Sequence, residues 1–139
     1  MRKFRNLGQS LFEIMFAVAI AALITTGIVV LSTDSVKNSS FSKDKTVASK
    51  LAQEANEWLR SQRDENWSNL SSRIGTNCLG DLSWSSSCTV VGTKFSREVI
   101  LNSISQTEIE AVVVVSWESG DSGGNMREVR TVTRFTDWK

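Results

Sequence analysis

Residues 8–31 read GQSLFEIMFAVAIAALITTGIVVL. From Ile14 to Leu31 no residue is charged, and as a helix this stretch rises ~27 Å against ~30 Å of bilayer hydrocarbon. It is just long enough to span. A single carboxylate, Glu13, stands at its leading end, after a short basic stub carrying Arg2, Lys3 and Arg5. Stub and run have the layout of a secretory signal, but the run is long for a signal's apolar core. Leu31 also leads into STDSVKNSS, which lacks a small-residue cleavage pattern. A retained membrane helix is expected. Lys37, Lys43, Lys45 and Lys50 rival the stub in charge, so orientation rests on the features that follow.

Beyond the run the pattern changes from apolar all round to apolar on one side. Val47, Leu51, Ala55 and Trp58 recur at helical spacing with Ala48, Ala52 and Leu59 beside them, while Lys50, Glu54, Glu57 and Arg60 lie elsewhere on the surface. This predicts an amphipathic helix reaching about Asp64. The chain has no proline to separate the two halves. Only STDSVKNSSFS, residues 32–42, weakens the middle, because its side chains compete for backbone hydrogen bonds. Such a helix is longer than a soluble domain of about a hundred residues can bury. Part of it must be covered by lipid or by other chains.

Residues 66–89 are rich in Ser, Asn and Gly, have no period, and read as an irregular connector. They contain Cys78 and Cys88. Paired, these would close a short loop worth ~2–3 kcal/mol; otherwise they are two unrelated thiols. An exported domain favours pairing. Strand signals follow in CTVVG (88–92), KFSREVIL (94–101), EIEAVVVVSW (108–117) and MREVRTVTRF (126–135). Alternation puts Ile109, Ala111, Val113, Val115 and Trp117 on one face, and Val129, Thr131, Thr133 and Phe135 on one face of the last strand. ESGDSGGN, residues 118–125, reads as the hairpin loop between them. The expected class is α+β: a long N-terminal helix packed on a C-terminal antiparallel sheet of three to four strands. Trp58 on the helix face and Trp117 on the strand face turned toward it are expected in the core, with Trp67, Trp84 and Trp138 in connectors or at the end.

Several kinds of chemistry fit the sequence poorly. Gly120-Asp121-Ser122-Gly123-Gly124 resembles the surroundings of a trypsin-like nucleophilic serine, but the chain has no histidine to take the proton and is too short for the two-barrel protease fold. A polar hairpin turn is the expected role, and no enzyme activity is assigned. Two cysteines without histidine make a poor zinc site, and Asp121, Asn125 and Asp137 match no calcium-ligand spacing. No metal or other cofactor is expected. The net charge of +1 gives no electrostatic argument for a polyanion. Arg130 and Arg134 share a strand face, with Arg127 on the other, and could meet phosphates. DNA contact is possible but has no other support, since exposed strand arginines are usually the solvated face of a sheet and also discourage edge pairing.

A basic stub ending in Gly8, then Gln9 and Ser10, then an apolar helix with glutamate five residues after the glycine resembles the class III leader of type IV pilins and pseudopilins. The ending, with alternating strand, glycine-rich turn, alternating strand and terminal Asp-Trp-Lys, looks like minor pilins of the PilV type. The resemblance implies that a prepilin peptidase cleaves between Gly8 and Gln9, that the new amino terminus on Gln9 is methylated, and that Glu13 directs filament assembly. Three features depart from the family pattern. Position 9 is Gln where an apolar residue is commonest. The helix lacks the proline that bends many major pilins, Thr25-Thr26-Gly27 being where it could loosen instead. Cys78 and Cys88 join the helix-to-sheet connector, whereas many major pilins brace their C-terminal segment.

The resulting segmentation is a leader at 1–8, a transmembrane and assembly helix at 9–31, an amphipathic half at 32–64, a disulfide-pinned connector at 65–93 and the sheet at 94–139. A lone carboxylate in hydrocarbon costs ~2.5–3.5 kcal/mol on insertion scales, so Glu13 should reach the interface, protonate or find a partner. Cleavage would create an amine on Gln9 that a neighbouring subunit's Glu13 can neutralise, and Ala17 and Ala21 offer a small-residue strip for close helix approach. Losing three of the 16 basic side chains leaves 13 against 15 acidic ones. The expected function is a minor type IV pilin or pseudopilin. It would be held once across the inner membrane with its C-terminal domain outside, then assembled with other pilin subunits into a pilus or secretion pseudopilus at the cell surface. The alternative is a signal-anchored, non-polymerising exported binding module of adhesin-like character.

Overall fold

A computed structural model describes residues 11–119 and 124–137. α1 (Leu11–Glu65) is followed by α2 (Trp67–Ser71), β1 (Gly75–Leu79), β2 (Trp84–Ser85), β3 (Phe95–Ser105), β4 (Glu108–Glu118) and β5 (Met126–Thr136). The five strands form one antiparallel sheet in the order β2-β1-β3-β4-β5. The chain is thus α+β, a long N-terminal helix with a sheet packed on it. It divides into two compact units at Ser39/Ser40, inside the Ser- and Asn-rich stretch of α1.

α1 is helical throughout, including residues 32–42, where competition from hydroxyl and amide side chains was the expected weakness. Several hydroxyls bond back to the preceding turn. Thr25 donates to the Ala21 carbonyl at 2.7 Å, Thr26 to Ala22 at 2.8 Å, Thr33 to Val29 at 2.9 Å and Thr46 to Ser42 at 2.9 Å. Such a hydroxyl satisfies itself on its own helix instead of diverting a backbone donor. α1 ends at Glu65, and Asn66 caps α2 by accepting from the Asn69 amide at 3.1 Å.

From Ala48 onward α1 lays one stripe on the sheet. Ala48, Ala52, Ala55 and Leu59 are fully buried, and Asn56 nearly so. Alanine fills three of these positions, and Ala111 on the inner face of β4 is fully buried as well. The sheet's inner face follows the predicted alternation. Ile109 pairs with Phe135, Ala111 with Thr133, Val113 with Thr131 and Val115 with Val129. On the other side Trp117 pairs with Phe95, Val115 with Arg97, Val113 with Val99 and Ala111 with Leu101. Asn56, the polar member of the helix stripe, accepts from the Thr133 hydroxyl at 3.2 Å.

Aromatic residues close the ends of this core. Trp117 is buried between Phe95 and Phe41, at ring distances of 5.8 and 6.4 Å. Trp58 packs edge-on to Trp84 at 4.9 Å. The two tryptophans expected to share the core therefore serve different contacts, and Trp58 is only half-buried. Trp67 and Trp84, placed by the sequence in connectors, also pack against the core. Guanidinium groups lie over the rims: Arg73 over Trp84 at 4.8 Å, Arg127 over Phe41 at 5.5 Å and Arg63 over Phe135 at 5.7 Å.

The sheet has more strands than the expected three to four. The additions, β1 and β2, fall in the connector expected to be irregular. Conversely, CTVVG is not a strand: only Thr89 bridges to Ser96. Val91 is 74% exposed, and Gly92 has φ +74°, in a turn where the Thr93 amide donates to the Val90 carbonyl at 3.1 Å. Two adjacent valines there mark one buried residue and one exposed residue of a turn. The hairpin before β5 was expected at 118–125, of which 120–123 lie outside the described residues.

Enlarging the helix stripe tests how tightly it is packed. Ala52→Leu is expected to destabilise the domain by ~1–3 kcal/mol through overpacking. Urea unfolding of the detergent-solubilised chain, followed by tryptophan fluorescence, measures it; an unchanged midpoint would mean that the stripe is not tightly packed.

Candidate functional site

The N-terminal unit presents an apolar helix surface that no other described residue buries. Every described side chain from Leu11 to Ser39 is exposed, Leu11 at 78% and Leu31 at 71%. This is the one described helix long and apolar enough to cross a membrane. Exposure of so many large apolar groups is unstable in water, so lipid or protein has to cover this surface. The hydroxyls within it suit that cover. Thr25, Thr26 and Thr33 donate to carbonyls of their own helix, so these three donors are already met.

Glu13 is different. It lies in the first turn of α1, exposed, with no hydrogen-bond or ion-pair partner among the described residues. Its spacing from Ala17 and Ala21 sets all three on one strip of the helix, four residues apart. Beside the strip, Phe12, Met15, Phe16, Ala19, Ile20 and Leu23 line a shallow apolar groove. The small-residue strip is therefore where a second helix could approach closest to Glu13. Gly8 and Gln9, the expected cleavage and methylation positions, lie outside the described residues.

Cys78 and Cys88 are joined as a disulfide with their Cα atoms 4.4 Å apart. The bond links β1 to the segment that follows β2. Beneath this corner lies a charged group the sequence reading did not single out. Arg97, on the inner face of β3, is 1% exposed. Its Nε donates to the Leu79 carbonyl at 2.9 Å, Nη2 donates to the Gly80 carbonyl, and Nη1 donates to the Leu51 carbonyl of α1 at 3.1 Å. Glu54 Oε2 lies 4.0 Å from Nη1. Burial pulls the guanidinium below its ordinary pKa, while the charges of Glu54 and Asp81 push it back up. Arginine starts so high that the group stays charged. The signal was available: in KFSREVIL, Arg97 alternates with Phe95, Val99 and Leu101 on the apolar side.

The remaining candidates are not drawn into a site. Asp121 and Ser122 lie outside the described residues, and no cluster of metal-ligating side chains occurs among the described ones. Arg130 and Arg134 share the outer sheet face and Arg127 the inner, as the alternation predicts. Carboxylates accompany the outer pair: Arg130 lies 3.5 Å from Glu128, and Arg134 3.7 Å from Glu108 and 3.5 Å from Glu110. The face is mixed in sign, which removes the basic stripe that phosphate binding would need. No family model, curated protein or solved structure matches the chain.

If the first turns of α1 serve only what lies outside this fold, changing Glu13 leaves the domain alone. Glu13→Val is expected to shift the urea midpoint of the sheet domain by less than about 0.5 kcal/mol equivalent, the ordinary scatter of surface substitutions. A larger shift would show that Glu13 supports the domain itself.

Proposed function

We propose that the chain is a minor type IV pilin or pseudopilin, a structural subunit stored in the inner membrane with its sheet domain outside and assembled into a filament after cleavage between Gly8 and Gln9. The observation that carries this reading is the pairing of two features on one helix. An exposed apolar helix surface bears a carboxylate, Glu13, that has no partner among the described residues and stands five residues after a glycine ending a basic stub. The same helix, further along, is the one packed on the sheet.

The mechanism follows from the cost of that carboxylate. In the membrane Glu13 sits near one end of the apolar run and can reach the interface by extending its side chain. Removal of residues 1–8 strips Arg2, Lys3 and Arg5 and leaves a cationic amine on Gln9. When a second processed helix stacks alongside with a stagger, its Glu13 meets that amine. One pair then offsets two desolvation costs, which favours the correct register even where the pair adds little net stability. The strip of Ala17 and Ala21 admits the neighbour closely, and van der Waals packing between helices supplies the attraction. Methylation would leave the amine cationic. The partners are the prepilin peptidase, other pilin subunits and, before assembly, the inner membrane.

Cleavage is the decisive step. Intact-mass measurement of the protein expressed with a prepilin peptidase is expected to show loss of residues 1–8; full-length protein under those conditions would remove the basis of the proposal. In the same cells Glu13→Val is expected to be processed and stable yet excluded from sheared filaments. Unchanged incorporation would favour an anchored, non-polymerising binding module.

A further inference from the structure

The disulfide and Arg97 are bound to each other through the backbone, although nothing joins them in sequence. Cys78 directly precedes Leu79 and Gly80, whose carbonyls take two of the guanidinium's donors. Cys88, the other half of the bond, accepts the backbone amide of Arg97 through its own carbonyl at 2.7 Å. Gly80 is buried where an added Cβ would lie 3.4 Å from the carbonyl oxygens of both Ser87 and Thr89, so the loop folds back tightly on itself. β2 holds the loop only through Cys78↔Ser85 and Leu79↔Trp84. A two-residue strand cannot hold such a loop by itself. Leu79 and Gly80 lie just past the last β1–β3 pair, Cys78↔Glu98, so the disulfide clamps the loop at the point where its ladder with β3 ends. The third acceptor, the Leu51 carbonyl, belongs to α1 and ties the same guanidinium to the helix.

We infer that Cys78–Cys88 and Arg97 form a redox-controlled latch: the oxidised loop presents the carbonyls that hold the buried guanidinium, and the guanidinium in turn holds α1 against the sheet. Reduction releases both. An external dithiol supplies the two electrons: its thiolate attacks one sulfur and displaces the other as a thiolate. The reductant's second thiol then resolves the mixed disulfide, leaving Cys78 and Cys88 as thiols and the reductant as a disulfide. With the loop free, the guanidinium loses two acceptors while buried, a state more costly than an exposed charge. The loop, the Trp58–Trp84 contact and the amphipathic end of α1 then open together. A subunit that has not been oxidised lacks the closed helix–sheet corner, so export to an oxidising compartment becomes a condition of the finished fold. This inference stands apart from the assembly reading, since it concerns the domain whether or not the chain polymerises.

The test uses the full chain in detergent micelles, folded in the oxidised state and then treated with dithiothreitol. Hydrogen exchange is expected to accelerate by about tenfold or more both at residues 79–88 and at residues 48–59 of α1, the loss of hydrogen bonds to a charged group being of that size. Acceleration confined to the loop, with α1 still protected, would overturn the latch. A cycle of Arg97→Met, Cys78→Ser/Cys88→Ser and their combination adds a measurement that does not need the reduced protein to stay native-like for long. The two changes are expected to fail to multiply in the unfolding constant by about tenfold, as for groups sharing one network. Multiplication to within about threefold would mean that Arg97 and the disulfide act separately.

Discussion

A guanidinium placed under a sheet has five donors to satisfy and no water to satisfy them. Arg97 meets this demand with backbone carbonyls from two unrelated pieces of chain, Leu79 and Gly80 on one side and Leu51 on the other, with Glu54 at the margin. Removing one side of such an arrangement costs ~3–5 kcal/mol, because the charge stays buried while its compensation goes. The connector corner and the helix consequently have one permitted position each relative to β3. An apolar residue of the same length could give equal stability with less positional information, since dispersion contacts tolerate sliding and hydrogen bonds to fixed carbonyls do not.

The rest of the domain is arranged around that constraint. The alanine stripe of α1 is fully buried on the sheet, and beside it the Leu51 carbonyl accepts from Arg97 at 3.1 Å. The disulfide compensates for the shortness of β2, and the T-shaped Trp58–Trp84 contact links the same loop to the helix. At the far end Phe41 and Phe95 flank Trp117, and Lys94 donates to Asp44 of α1 at 2.7 Å. The buried guanidinium stands at the corner made by the least regular chain.

How much of this was legible depended on whether a segment's structure is decided by its own side chains. In β4 positions 109, 111, 113, 115 and 117 are all apolar, with Val112 and Val114 out of step between them, and in β5 Val129, Thr131, Thr133 and Phe135 share a face; this period of two fixes both the element and its register. The helix announced itself twice, by an unbroken apolar run and by the 47-51-55-58 stripe. β1 and β2 did not, because GTNCL and WS have no alternation worth reading; their conformation is imposed by β3, by the Cys78–Cys88 bond and by Arg97. CTVVG failed in the opposite direction, since β-branched composition suggested a strand where Gly92 at φ +74° enforces a turn. Of the candidate site, Glu13 was visible as a charge out of place. Arg97 was equally out of place in its alternation, but one charge in a strand is ordinarily the solvated face, and the acceptors that make it a core residue come from segments 18 and 46 positions away.

Glu13 and Arg97 are thus two answers to the same electrostatic problem. Each puts a charge among apolar groups. Arg97 is resolved within the fold, and its compensation is complete when the chain closes. Glu13 has no counterpart among the described residues, and its neighbours along the strip, Ala17 and Ala21, are too small to shield it. A charge of the first kind fixes a conformation; a charge of the second kind leaves an energetic deficit that only something outside the fold can remove. The interfacial water of a membrane removes it loosely. A cationic group on an adjacent helix removes it at one stagger, and this is why a carboxylate so costly to carry into hydrocarbon makes sense on the surface by which, in the function proposed, the chain meets its neighbours.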